Sequence, residues 1–432
     1  MEFKSFIAHW LDTLPLDSSI PLAEGEQKRR PPQSSQTGGS RKRPRQQPSP
    51  PSSTMPLSTP NHSPRKRAGA DADEQTPRPS RTSANRGNNA DNVPSLSSSS
   101  SKRSRRSQSP TKFFPLYGPE DRRLLRDSLN TMTIAPSPTL RDLLGDMTDV
   151  AGRYAIMPLR VKAPTERHLV ATGQFDRLHE YMFCDDAAWH HSCLDGEGLV
   201  RRAVRIAARS AECLRMLSDE LAWNNLVHSQ LLDMLVHDMQ DGPGQDMLDF
   251  LSCTTTGIDP TYHRFPDSAS RVDYMFQLFP ERDATISSHG DALLRMRPCF
   301  NWTADRLLQQ YPLAISIETK RYGGDTVRGE QQLGIWHAAH WEFLVSRAGQ
   351  DAAEVLGILP SVVVQGHTWS LVVSARRQGT TTMLCSMEFG STVSVTGVFQ
   401  VLAGMRRLRN WSLDVLWPWY KQHLPELAGL HP

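Results

Sequence analysis

The alternation of apolar and polar positions changes character near residue 112. Before that point only the first residues carry a periodic apolar set. Phe3, Phe6, Ile7, Trp10, Leu11 and Leu14 recur at helical spacing, so residues 1–16 predict one short amphipathic helix. A helix this short is unstable alone and should dock, either on the protein's own body or on a partner. The stretch that follows, residues 17–112, is dominated by Ser, Pro, Arg, Gln and Asn and contains the run Ser97–Ser101. It cannot bury enough apolar surface to offset chain entropy and is expected to be disordered.

Periodicity returns after residue 113. Helices are expected over residues 120–130, 140–150 and 197–217, and again from 219 to about 239, where Trp223 and Val227 pair at i, i+4. Residues 271–278 alternate as a strand: Val272, Tyr274, Phe276 and Leu278 share one face, and Asp273, Met275 and Gln277 the other. Residues 311–321 form a second strand ended by Gly323-Gly324, with Ala314, Ser316, Glu318 and Lys320 on one face. A short helix is expected within the intervening segment, at residues 305–310. A longer one should run over 328–347, with Gln331 and Gln332 in its first turns. Three antiparallel strands follow at 355–365, 369–376 and 381–388. A helix at 397–408 comes next, then a Trp-rich segment, 411–424, broken by Pro418. Strands interleaved with helices give an α/β class with no internal repeat.

Charge sharpens the division. Residues 1–112 hold 19 Lys+Arg against 9 Asp+Glu and 15 of the 31 prolines, which leaves an acidic body under a net charge of +3. Three basic clusters, Arg41-Lys42-Arg43-Pro44-Arg45, Pro64-Arg65-Lys66-Arg67 and Lys102-Arg103-Ser104-Arg105-Arg106, read as nuclear import signals or nucleic-acid contacts. The expected location is nuclear, with the import machinery as a partner. Ser49-Pro50, Ser63-Pro64 and Ser109-Pro110 lie near these clusters, where phosphorylation would weaken them. No apolar run approaches the ~18 residues of a membrane span, and the start lacks a signal-peptide pattern, so no membrane partner is expected. The six cysteines have no paired framework, which suits a reducing compartment. Cys184, His190, His191 and Cys193 are close in sequence, but their spacing fits no common zinc finger.

The chemistry of the body concentrates in Asp273, Glu318 and Lys320. If the two strands are adjacent, both carboxylates can reach one Mg²⁺ or Mn²⁺, a hard ion that keeps several waters and needs only one or two carboxylates. An amine beside such a metal can orient a water or offset phosphate charge. Glu220, on the upstream helix, could add a ligand or hold a water, and Gln332 could hydrogen-bond the attacking water or a phosphate. A simpler reading keeps Glu318 and Lys320 as a strand-end ion pair, with Asp273 paired to Arg271 or Arg321. The Glu-x-Lys pattern alone is weak, because it recurs at Glu26-Gln27-Lys28 in the tail.

The order Glu220, Trp223-Asn224, His228, then Val272-Asp273, Phe300-Asn301-Trp302-Thr303, Ile317-Glu318-Thr319-Lys320, Gln332-Leu333-Gly334-Ile335-Trp336, Gly366-His367-Thr368-Trp369 and Trp417-Pro418-Trp419 resembles the PD-(D/E)XK nuclease-like domain found widely in filamentous fungi. The resemblance implies the restriction-endonuclease-like fold over about residues 113–430, a mixed β-sheet flanked by helices. It implies Asp273 and Glu318 as metal ligands, Lys320 as the catalytic lysine, and supporting roles for Glu220 and Gln332. Two departures stand out: Val272 replaces the proline that precedes the first Asp, and about forty residues separate Asp273 from Glu318. The expected function is Mg²⁺-dependent phosphodiester hydrolysis of DNA or RNA. A non-catalytic nuclear binding or scaffold module on the same fold is the alternative.

Overall fold

A computed structural model describes residues 115–117, 123–174, 176–189, 194–237, 246–265, 271–286, 295, 298–424 and 427. All of them belong to the second of the two units into which the chain divides, Ser98–Pro432. The amphipathic segment 1–16, the basic tail, and His190, His191 and Cys193 lie outside the described residues.

The chain begins its sheet with β1 (Leu116–Tyr117) and β2 (Arg123–Ser128), then enters helix α1 (Pro138–Ala151), capped by the Ser137 hydroxyl. A small parallel pair, β3 (Met157–Pro158) and β4 (Phe183–Cys184), brackets α2 (Lys162–Thr172). Helix α3 (Gly196–Met216) ends at Leu217 in a left-handed conformation, φ 49°. That turn lets Asp219 cap the next helix by accepting from Ala222 N–H at 2.8 Å, so Glu220 stands at its first position. This helix is α4 (Glu220–Trp223), which passes through a π-turn (Asn224–His228) into α5 (Ser229–Val236).

Strands β5 (Leu248–Ser252), β6 (Tyr274–Leu278) and β7 (Leu313–Lys320) follow. Then come α6 (Thr326–Ala348), α7 (Gln350–Leu356), β8 (Ile358–Gln365), β9 (Thr368–Arg377) and β10 (Thr380–Ser391). Helix α8 (Val395–Trp411), a π-turn (Ser412–Leu416) and α9 (Trp417–His423) close the fold. Eight strands form one mixed sheet in the order β1-β2-β10-β9-β8-β7-β6-β5, parallel at β2/β10 and β7/β8 and antiparallel elsewhere. The expected α/β class, a mixed sheet flanked by helices, is what forms. Helix α6 packs on β7 through β10, close enough that a Cβ on Gly334 would come within 2.9 Å of Leu124, while α8 packs on β10 with α1 and α3. Among the described residues no helix is long and apolar enough to cross a membrane, and the cysteines form no disulfide.

Four local expectations are corrected. Residues 123–128 are strand β2 rather than part of a helix over 120–130. Leu124 is fully buried opposite Thr381 of β10, and the Arg126 charge meets Glu330 at 2.6 Å, so pairing in the sheet overrides local preference. The segment 305–310 makes only a 3₁₀ turn, Leu308–Gln310, because Asp305 Oδ1 caps Leu307 and Leu308 and Pro312 forbids further helix. The strand expected from 355 starts at Ile358, after α7 ends at Gly357 with φ 77°. Pro418 does not break its segment: it falls at the start of α9, where a missing N–H costs little, just after the wide π-turn.

Candidate active site

Strands β6 and β7 pair with Tyr274 opposite Ile317 and Met275 opposite Ser316. That register puts Asp273 at the end of β6 level with Glu318, and Asp273 N–H donates to Ile317 O at 3.1 Å. Asp273 Oδ2 accepts from both Thr319 N–H (2.8 Å) and Thr319 Oγ1–H (2.7 Å). Its second oxygen takes no hydrogen bond from the described residues. The pairing of Asp273 with Arg271 or Arg321 does not occur; Arg271 donates instead to Thr254 O at 3.5 Å.

Glu318 is 2% exposed. Lys320 Nζ ion-pairs with Glu318 Oε1, donates to Thr319 O at 2.9 Å, and lies 3.8 Å from Glu220 Oε2. The strand-end ion pair is therefore present, inside a larger cluster of three carboxylates and one amine. Burial pushes the Glu318 carboxyl up to about 8; Lys320 opposes this, and the charges of Asp273 and Glu220 add to it. Burial also raises Glu220, with Lys320 opposing and Asp273 reinforcing. Desolvation alone would lower Lys320, but Glu318 and Glu220 outweigh it and raise it, so the amine stays protonated.

With all four groups ionised the cluster carries −2, inside a site whose central carboxylate is almost wholly buried. That excess, and the unengaged Asp273 oxygen, fit one divalent cation. Among the described residues no three His, Cys, Asp or Glu side chains are gathered as a ready metal cage, so a bound ion would complete its shell with water or substrate oxygens. Gln332 stands on the second turn of α6 at the rim, and its amide reaches Arg271 O at 3.5 Å. Asp273, Glu318, Lys320 and Glu220 are thus brought together, and Gln332 borders them through the Arg271 carbonyl.

The structure also gives roles to residues that the sequence names only as part of the resemblance. Thr319, the middle residue of Glu-x-Lys, holds Asp273; only its hydroxyl hinted at this. His228, fully buried in the π-turn, contacts Asn224 Oδ1 (2.9 Å) through Nδ1 and Gly366 O (2.8 Å) through Nε2. Gly366 N–H in turn donates to Lys320 O at 2.7 Å. The helix bearing Glu220 is therefore fastened to the strand bearing Lys320 through one imidazole and one glycine. Asn301 works similarly upstream of β7: its amide donates to Leu308 O and Tyr311 O, while its oxygen accepts from Thr303. A cavity of about 530 Å³ lined by Ser137, Glu354, Arg376 and Arg377 lies near Ile358, at the other end of β8 from the cluster.

A family model for the PD-(D/E)XK nuclease superfamily matches residues 167–417. The chain belongs to the PD-(D/E)XK nuclease superfamily. The match spans Glu220, Asp273, Glu318, Lys320 and Gln332, the residues that the fold gathers at or beside the cluster. No curated protein and no solved structure matches the chain.

Proposed function

We propose that this superfamily member is a divalent-metal-dependent phosphodiester hydrolase acting on nucleic acid. The observation that supports it is the crowding of Asp273, Glu318 and Glu220 around one amine, with Glu318 buried. Asp273 and Glu318 would hold Mg²⁺ or Mn²⁺, which supplies Lewis-acid polarisation of the scissile phosphate and charge for the leaving oxygen. The protonated Lys320 Nζ donates a hydrogen bond to the attacking water or a phosphoryl oxygen, a positioned charge where negative charge develops. Glu220 Oε2, half-exposed and 3.8 Å from that amine, shares the water with it and accepts its proton. Thr319 fixes Asp273. Gln332, at the rim, is placed to meet the phosphate backbone.

The test is cleavage of single- and double-stranded DNA and RNA with Mg²⁺ or Mn²⁺, comparing wild type with Lys320→Ala. Metal-dependent cleavage lost in the variant supports the reading. A wild type that binds but cleaves none of the four substrates returns the chain to a scaffold role.

The three basic clusters of the tail support nuclear action, by way of the import machinery. Deleting residues 21–110 should abolish nuclear accumulation of a fluorescent fusion; unchanged accumulation rejects it.

A further inference from the structure

The rim beside Lys320 carries an aromatic ring that the carboxylate–lysine chemistry does not use. Tyr322 follows Lys320 by two residues, just past the end of β7, and is 45% exposed. Its ring lies on the half-buried imidazole of His367, with centroids 5.6 Å apart and planes inclined by 22°. Both rings are held. Gly366, with φ 56°, lies so close beneath Tyr322 that a Cβ there would stand 2.9 Å from the tyrosine Cβ, and its N–H is the one donated to Lys320 O. His367 Nδ1 meets Ser391 Oγ at 2.9 Å and Thr368 Oγ1 at 3.2 Å, and its carbonyl accepts from Thr392 N–H at 2.9 Å. Past Tyr322, the Gly323 position is open, with no atom beyond its chain neighbours within 4 Å of where a Cβ would be.

A large ring with a second ring behind it, half-exposed and anchored to the backbone of the amine-bearing residue, is a fixed platform for a flat ligand. Arg321, exposed, is the residue before Tyr322, and Arg328, also exposed, acts electrostatically on Glu220 in the cluster. Aromatic platforms beside cations hold the bases of single strands, whatever their sequence, since every base has a π-face. A base inside a duplex already has both faces covered and must be unstacked first, at a cost of a few kcal/mol.

We propose that Tyr322, seated on His367, is the stacking platform for an unpaired base adjacent to the phosphate that reaches Lys320, and that the substrate is single-stranded nucleic acid. This rests on the reading of the cluster as a phosphodiester site. Stacking holds the strand in register, and the Lys320 backbone that carries the turn sets the distance between base and phosphate.

The test measures binding, without added divalent metal, of a labelled oligonucleotide of about 16 nucleotides as a single strand and as a blunt duplex. Wild type should favour the single strand. Tyr322→Phe should retain that binding, and Tyr322→Ala should weaken it by about fivefold to a hundredfold with little change for the duplex. A series of single strands, each with one abasic position, supplies the readout that a merely structural role would not move. One position should matter in wild type and cease to matter in Tyr322→Ala. If wild type favours duplex, or Tyr322→Ala weakens every probe alike including the abasic ones, the platform is refuted, while metal-dependent cleavage lost in Lys320→Ala would still uphold the cluster. If wild type cleaves nothing, the cluster reading falls and this inference falls with it.

Discussion

Thr319 gives both of its donors, backbone N–H and hydroxyl, to a single carboxylate oxygen of Asp273. The residue between Glu318 and Lys320 is thus a clamp as well as a spacer. It continues the β6/β7 ladder through a side chain where backbone pairing ends, and it turns Asp273 toward the cluster with one oxygen left unengaged.

Thr319→Val keeps the shape and the N–H but removes the hydroxyl. It should cost about 1 kcal/mol of stability, the worth of one hydrogen bond to a charged group less packing differences. It should also weaken the stabilisation given by millimolar Mn²⁺, because Asp273 is left freer to rotate. Thermal melts with and without Mn²⁺ measure both.

Glu318→Gln should have opposite effects with and without metal. With the Glu318 carboxyl raised to about 8, the metal-free fold must carry it protonated at neutral pH, and the amide removes that cost, so the metal-free protein should gain stability, by about 1–3 kcal/mol. The Mn²⁺-dependent rise in melting temperature should vanish, since a neutral amide is a poor ligand for a hard cation. A variant that still shows the wild-type rise would remove Glu318 from the metal site.

Lys320→Ala should lower cleavage by about 10²–10⁴-fold, as expected for loss of a positioned proton-transfer or charge-stabilising group. The Mn²⁺ shift should persist, because a protonated amine is no ligand. Single-turnover cleavage alongside melts separates the two, and loss of both would mean that the amine holds the site together rather than assisting reaction.

Acid should unfold the domain earlier than carboxylate titration alone would suggest. His228 is depressed to about 4 by burial, its bond to Gly366 opposing, and His337 to about 3 by burial; His340 lies well below its usual value, through burial and the neighbouring His337. Their folded values lie below their unfolded ones, so the unfolded chain binds more protons between about pH 6.5 and 4. Each ring's contribution is full above about 6.5 and falls as pH drops, by about 1.4 kcal/mol per pH unit. Glu318, raised to about 8, works in the opposite sense and offsets about one ring down to its unfolded value. Urea titrations at pH 7 and 5 give the slope, and His337→Gln should flatten it by about one ring's share, roughly half of the net.

Much of this was written in the sequence. The alternation around Asp273 and Glu318 set the two strands, and two acidic groups and an amine on one face anticipated the cluster. Glu220 is a candidate from its place at the start of a helix, and the resemblance adds to it, but nothing local says that a helix some fifty residues upstream will meet β6. What stayed hidden was non-local. Residues 123–128 carry four charged or polar side chains among six, and only the distant β10 makes them a strand. His228 looks like an ordinary helix residue until Gly366, 138 residues later, supplies its acceptor. Alternation puts Thr319 on the face opposite Glu318 and Lys320 and does not foresee a carboxylate completing a backbone ladder.

The parallel pairing of β2 with β10 joins residues about 250 positions apart, Arg123 with Thr380. A ribosome makes β2 first and must hold it without its principal neighbour through nearly the whole synthesis of the domain. Until β10 emerges, β2 lacks the strand it pairs with along its whole length, and the turn at Gly366 that steadies Lys320 has barely left the exit tunnel. Nascent or truncated chains should therefore fail to cleave nucleic acid and depend on chaperones, with cleavage arriving late and all at once.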